Sequence, residues 1–351
     1  MDIADAKSGT AKSVRRRGNL MPKSLFLASL LFSAASIAAA APNYRITGEI
    51  KAADGGWDLL SVDPVDQRLY VARADGVTAV DLASGKVTDK LVRAERGHAA
   101  LAIPGTHDVI VTNGNADNAT LIDGRNGQVR ATIATGKKPD AVAYDPATRT
   151  LWVMNAGDGS ISVVDPATAK VLATVAVGGS LELGAADGHG KLYVNAEDRN
   201  DVAVIDTRTR KLLAREPLPG CDGPTGIVYD PATKETLSAC ANGVAVVLSD
   251  KGKMVASLQI GKRPDGAAFD TRRHLALVPS GAEGNVSIIE LSPSPRVLAT
   301  VPTAKSARTI ALDPSTGRAY LPAADLQPAV GSERPKPIPG TFRILVLAPA
   351  S

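Results

Sequence analysis

The chain has little with which to stack on bases, hold metal through sulfur, or attract polyanions. Of its 351 residues only 3% are Phe, Trp or Tyr, and only two are cysteine. The formal charge of +4 comes from the first 40 residues, which carry six basic and two acidic side chains and leave 34 of each in the remainder. A neutral, aromatic-poor chain is poorly equipped to bind single-stranded nucleic acid, which needs basic grooves and exposed stacking rings. The sequence has no glycine-rich phosphate loop, G-x-S-x-G elbow, H-E-x-x-H pair or C-x-x-C-H haem site. The two cysteines, Cys221 and Cys240, form neither a C-x-x-C motif nor a zinc-ligand set.

There is one long apolar run, residues 25–40, preceded by Arg15, Arg16, Arg17 and Lys23 and ending in small residues before Pro42. A basic region, an apolar core and a small-residue end are the parts of a secretory leader, so residues 1–40 are expected to be cleaved after Ala40. Translation from Met21 would also give a leader of ordinary length. The arginine triplet hints at twin-arginine export, and a retained membrane helix is the alternative. Export places the mature protein in the periplasm or outside the cell. An oxidising compartment makes a Cys221–Cys240 disulfide the expected pairing, against two buried thiols.

The remainder is periodic. Residues 136–178 contain four runs rich in Val, Ile and Thr, at 141–144, 150–154, 160–164 and 171–177, separated by Asp-Pro-Ala-Thr or Gly-Asp-Gly turns. Aligning on the first turn gives Asp63, Ile103, Asp145, Asp187, Asp230, Asp270 and Asp313, spaced 40 to 43 apart. A second anchor recurs at Asp81, Asp123, Asp165, Asp206 and Glu290, with Leu248 in its place in the fifth unit. Four strands in a repeat of about 42 residues predict an all-β, seven-bladed β-propeller of four-stranded antiparallel blades. Residues 41–351 then form one domain. Tyr44 to Ile50 reads as a fourth strand and is expected to complete the last unit and close the ring.

Asp-Pro turns after first and third strands share one face. The variable loops share the other, including a long proline-rich loop at 323–340 with Pro328, Pro335, Pro337 and Pro339. That loop is expected to lie over the variable face as a partial lid; the alternative is a disordered excursion. The residue five before each first-turn anchor sits at the top of the inner strand. These are Asp58, His98, Asp140, Glu182, Thr225, Asp265 and Arg308. A polar collar above apolar strands predicts a ligand site at the channel mouth. The collar can instead neutralise itself and merely seal the channel. Crowded carboxylates could also recruit a hard cation such as Ca²⁺ or another divalent ion, through Asp58, Asp140, Glu182 and Asp265. Trp57-Asp58 opens an inner strand and so is not the WD dipeptide of that repeat class. His107, His189 and His274 fall in turns of the opposite face and read as solvated.

The segments 139–155 (PDAVAYDPATRTLWVMN), 192–195 (LYVN), 221–230 (CDGPTGIVYD), 307–325 (ARTIALDPSTGRAYLPAAD) and 339–349 (PGTFRILVLAP) resemble the YncE-like family of exported propellers with YVTN repeats. The resemblance spans the mature chain and implies a seven-bladed ring outside the cytoplasm, with no reaction assigned to most members. It suggests a binding or interaction module for a small molecule, a peptide or an envelope protein, expected to be monomeric. The enzymatic alternative is a metal-assisted hydrolase of the lactonase type, with Glu182 or Asp140 on the metal and His98 as base. Single-stranded DNA binding, linked to some relatives, is the minor alternative. A purely structural envelope protein is the third.

Overall fold

The aspartate anchors act within their own turns. Asp63, Asp145, Asp187, Asp230, Asp270 and Asp313 each accept, through Oδ1, the backbone N–H two residues on, at 2.7 to 3.1 Å. Each bond ends one strand and starts the reversal into the next. Ile103, which lacks such a side chain, is replaced in this role by Thr106, whose hydroxyl donates to the Ile103 carbonyl at 2.9 Å.

The computed structural model describes residues 44–291, 294–329 and 335–350. The leader and its cleavage point lie outside the described residues. Seven four-stranded antiparallel sheets form a seven-bladed β-propeller. Blades 1 to 6 are built from consecutive strands in 57–93, 97–134, 139–176, 181–217, 224–259 and 268–302. In blade 3 the strands are Pro139–Asp145, Thr150–Asn155, Ser160–Asp165 and Lys170–Ala176, each within two residues of the expected run. Blade 7 takes three strands from the C-terminal end, Ala311–Leu312, Ala319–Ala323 and Arg343–Pro349. Its outermost strand is Tyr44–Lys51, antiparallel to Arg343–Pro349 in a register running from Tyr44↔Pro349 to Lys51↔Arg343. Among the described residues no helix is long and apolar enough to cross a membrane.

Apolar side chains from facing sheets meet between blades. Each pair of neighbours shares one buried cluster. The cluster between blades 7 and 1 joins Trp57, Val71 and Val80 to Tyr320, Phe342 and Ile344. Aliphatic residues dominate these layers, and removing them from water supplies the main drive for stacking, at about 25 cal/mol per Å².

One feature was not legible in the pattern. The inner strands of blades 6 and 7 shrink to Ala268–Asp270 and Ala311–Leu312. Above them the Asp265 N–H donates across the blade boundary to the Arg308 carbonyl at 3.0 Å, instead of pairing within its own sheet. On the other side of blade 6, Gly226 of blade 5 allows a separate close approach, since a Cβ there would stand 2.5 Å from the Gly266 backbone. In blade 5 the end of the second strand is tied covalently: Cys240 and Cys221 form a disulfide across 19 residues. The equivalent Asn113 and Asn155 instead donate to hydroxyls on the third strand, Thr120 and Ser162.

Candidate functional site

The collar is set by backbone geometry first. The residue two before the collar position is left-handed in several blades: Arg96, Lys138, Gly223, Arg263 and Ser306 all have φ between 48° and 82°. The connection from the previous blade reverses there and delivers the collar residue to the channel rim. Hydroxyls then pin the collar carbonyls. Thr112 donates to the Asp140 carbonyl at 2.8 Å, and Thr309 to that of Asp58 at 3.0 Å.

Five of the seven collar side chains form one chain of charge. His98 Nδ1 lies 2.8 Å from Asp58 Oδ2 and 3.6 Å from Asp140 Oδ1. The other Asp58 oxygen is 3.7 Å from Arg308 Nη2. Arg308 donates from Nε to Asp265 Oδ2 at 2.7 Å and from Nη2 to the Trp57 carbonyl at 2.8 Å. The order Asp140–His98–Asp58–Arg308–Asp265 therefore crosses blades 3, 2, 1, 7 and 6.

The other two positions differ. Thr225 carries the collar register but is buried, and its hydroxyl donates to the Pro264 carbonyl at 2.8 Å. It does not line the cavity, and it is a staple between blades 5 and 6 instead of the ligand residue its register suggests. Glu182 lines the cavity and has no hydrogen bond or ion pair among the described residues.

The electrostatics follow from this layout. Burial pushes the Glu182 carboxyl up to about 10, reinforced by Asp140 and Asp265. Burial also pushes Asp140 up to about 6, with His98 opposing and Asp58 reinforcing. The Asp58 hydrogen bond raises His98, against the effect of burial. Its Nδ1 is engaged by Asp58, so this nitrogen of His98 is not free to act as a base.

These groups line a cavity of about 720 Å³ at the channel mouth. Leu326, Pro335 and Pro337 from the proline-rich loop form part of its wall. The described arms of that loop pair through a Leu326↔Pro337 bridge and a bond from the Gln327 N–H to the Lys336 carbonyl at 2.8 Å. Its base is fixed to the ring by Arg343 on Asp325 at 2.8 Å and by Asp54, which accepts from the Phe342 N–H at 3.3 Å. Sequence reasoning missed three cations on the wall: Arg96, Arg263 and Lys305. Their signal was present, since Arg96 and Arg263 stand two residues before His98 and Asp265. As to a metal, Asp58, His98 and Asp140 each present one ligand atom, all within 4.8 Å of one another. Asp265 is engaged by Arg308 and stands outside that set. On the opposite face His107 is not simply solvated: its Nδ1 lies 2.8 Å from Asp66 of the neighbouring blade.

No family profile and no curated protein matches the sequence. Solved structures do match the fold. One is the chain titled Kuenenia stuttgartiensis Hydrazine Synthase, 18% identical with a TM-score of 0.64, covering 79% of this chain and 95% of that one. Another is from a structure titled Crystal Structure of Mitotic Checkpoint Complex, 15% identical with a TM-score of 0.71, covering 86% of this chain and 96% of that one. At these identities the likeness defines the seven-bladed propeller class and nothing narrower.

Proposed function

We propose that this chain is an exported, YncE-like binding module of the cell envelope that takes a small solute or peptide at its channel mouth. One observation carries the reading. The mouth holds a cavity of about 720 Å³ in which Glu182 and Asp140 are incompletely matched by the protein's own cations. A collar that served only to seal the channel would pair every charge, because a half-buried unpaired group costs free energy. A second reading rests on the Asp58, His98 and Asp140 atoms within 4.8 Å. A divalent ion held there would polarise a carbonyl for lactone hydrolysis. Single-stranded DNA is disfavoured by the carboxylates on the cavity wall.

The test is calorimetric titration of the purified chain with small solutes, peptides and divalent ions, alongside Asp140→Asn. Binding that Asp140→Asn removes while the fold survives is the expected result. Lactone turnover that a chelator abolishes would establish the hydrolase instead. Collar substitutions that change only thermal unfolding would overturn both readings.

A further inference from the structure

The charges on the cavity wall are segregated. Blades 3 and 4 contribute Asp140 and Glu182, and no cation from those blades lines the cavity. Lys138, at the register of Arg96 and Arg263, is exposed and does not line it. Blades 6 and 7 contribute Arg263 and Lys305, both exposed and without an ion pair among the described residues. Arg308, between them and blade 1, is already engaged by Asp265 and Asp58. Arg96 of blade 2 flanks the acidic side, but within blades 3 and 4 the wall offers only acceptors, and across the mouth Arg263 and Lys305 offer unmatched donors.

Each simple ligand class leaves part of this wall unanswered. A bare cation satisfies the acceptors and is repelled by the Arg263 and Lys305 side. A simple anion does the reverse. A neutral solute leaves charged groups desolvated and unpaired on both sides. A molecule with an ammonium at one end and a carboxylate at the other answers both. Trp57, Leu326, Pro335 and Pro337 also line the cavity and supply apolar surface for the part of the ligand that joins its ends. The cavity volume falls in the range of ordinary small-molecule sites.

We propose that the channel mouth recognises a small zwitterion, a free amino acid or short peptide with both ends uncapped. Its ammonium lies toward Glu182 and Asp140 and its carboxylate toward Arg263 and Lys305. The proposal rests on the mouth being a ligand site, as argued above, and adds the class of ligand.

The experiment is calorimetric titration of the purified chain with alanyl-leucine, its N-acetyl derivative, its C-terminal amide, glucose and Ca²⁺. The dipeptide is expected to bind, and each cap to weaken binding about tenfold or more, as loss of a charge-assisted contact does. The isosteric Glu182→Gln variant should become indifferent to acetylation yet stay sensitive to amidation. Arg263→Ala combined with Lys305→Ala should show the opposite pattern. Dipeptide binding that ignores both caps, or no dipeptide binding, overturns the proposal. If glucose or Ca²⁺ binds instead and Asp140→Asn abolishes it, the mouth remains a ligand site and only the zwitterion is lost. If no probe binds and the variants alter thermal unfolding alone, the ligand-site reading is lost with it.

Discussion

His98 Nδ1 sits 2.8 Å from Asp58 Oδ2, across a blade boundary and 40 residues of sequence. That contact joins the carboxylates of blades 1 and 3 to Arg308, and the collar behaves as one electrostatic unit.

Arg308 is the residue whose loss should be felt most widely. It bonds Asp265 at 2.7 Å, approaches Asp58 and holds the Trp57 carbonyl, with its side chain 34% exposed. Partial exposure puts the cost of Arg308→Met between the exposed and buried limits for ion pairs, at about 2 kcal/mol. Chemical denaturation should show this, and a loss below about 0.5 kcal/mol would show that the chain of charge is energetically idle.

The collar should loosen as pH rises. Glu182, lifted to about 10, Asp140, lifted to about 6, and His98, also raised, all bind protons more tightly folded than unfolded. For each, the contribution to stability is complete below the unfolded value and is lost as pH climbs through the folded one. Asp140 loses its share between about 4 and 6, and Glu182 between about 4.5 and 10. His98 loses its share above about 6.5. The melting temperature is expected to fall from pH 5 to pH 9, and Glu182→Gln to flatten most of the fall. A level profile in the unsubstituted protein would contradict the burial of these groups.

Thr225 separates a structural role from a ligand role. Thr225→Val removes the bond to the Pro264 carbonyl and should cost about 1–2 kcal/mol, since a buried acceptor is left unmatched. Solute binding at the mouth should survive the change. A variant that unfolds normally but no longer binds would return Thr225 to the site.

The Cys221–Cys240 link closes a short loop, and replacing both cysteines by serine should cost about 3 kcal/mol. Denaturation under reducing and non-reducing conditions measures this, and equal midpoints would show that the bond adds nothing to stability.

Removing residues 44–51 leaves blade 7 with three strands and an open edge along Arg343–Pro349. The truncated protein should unfold less cooperatively and aggregate, because an exposed strand edge invites pairing with other chains. A sharp, unshifted melting transition and full solubility would deny the strand that role.

Much of this was legible because it is local. An aspartate that bonds the N–H two residues on, as Asp145 does with Ala147, leaves the same mark in six of the seven repeats. The period then places Asp58, His98 and Arg308 at one height without any knowledge of contacts. The order of blades around the ring also sets Arg308 between Asp265 and Asp58, and His98 between Asp58 and Asp140, which are the contacts found. Which atoms meet, and how closely, depends on side-chain reach across blades, and no local pattern records it. Thr225 shows the same limit: its register matches the collar, yet a carbonyl from the next blade claims its hydroxyl. Arg263 and Lys305 escaped notice because only the collar position itself was read across the repeats.

The pairing of Tyr44 with Pro349 has a consequence for how the molecule is made. Six sheets each draw on one continuous stretch of sequence, but the seventh joins strands that lie far apart in it. That sheet is therefore the one whose completion waits on a meeting between strands far apart in sequence, and until Tyr44–Lys51 finds Arg343–Pro349 neither has its partner.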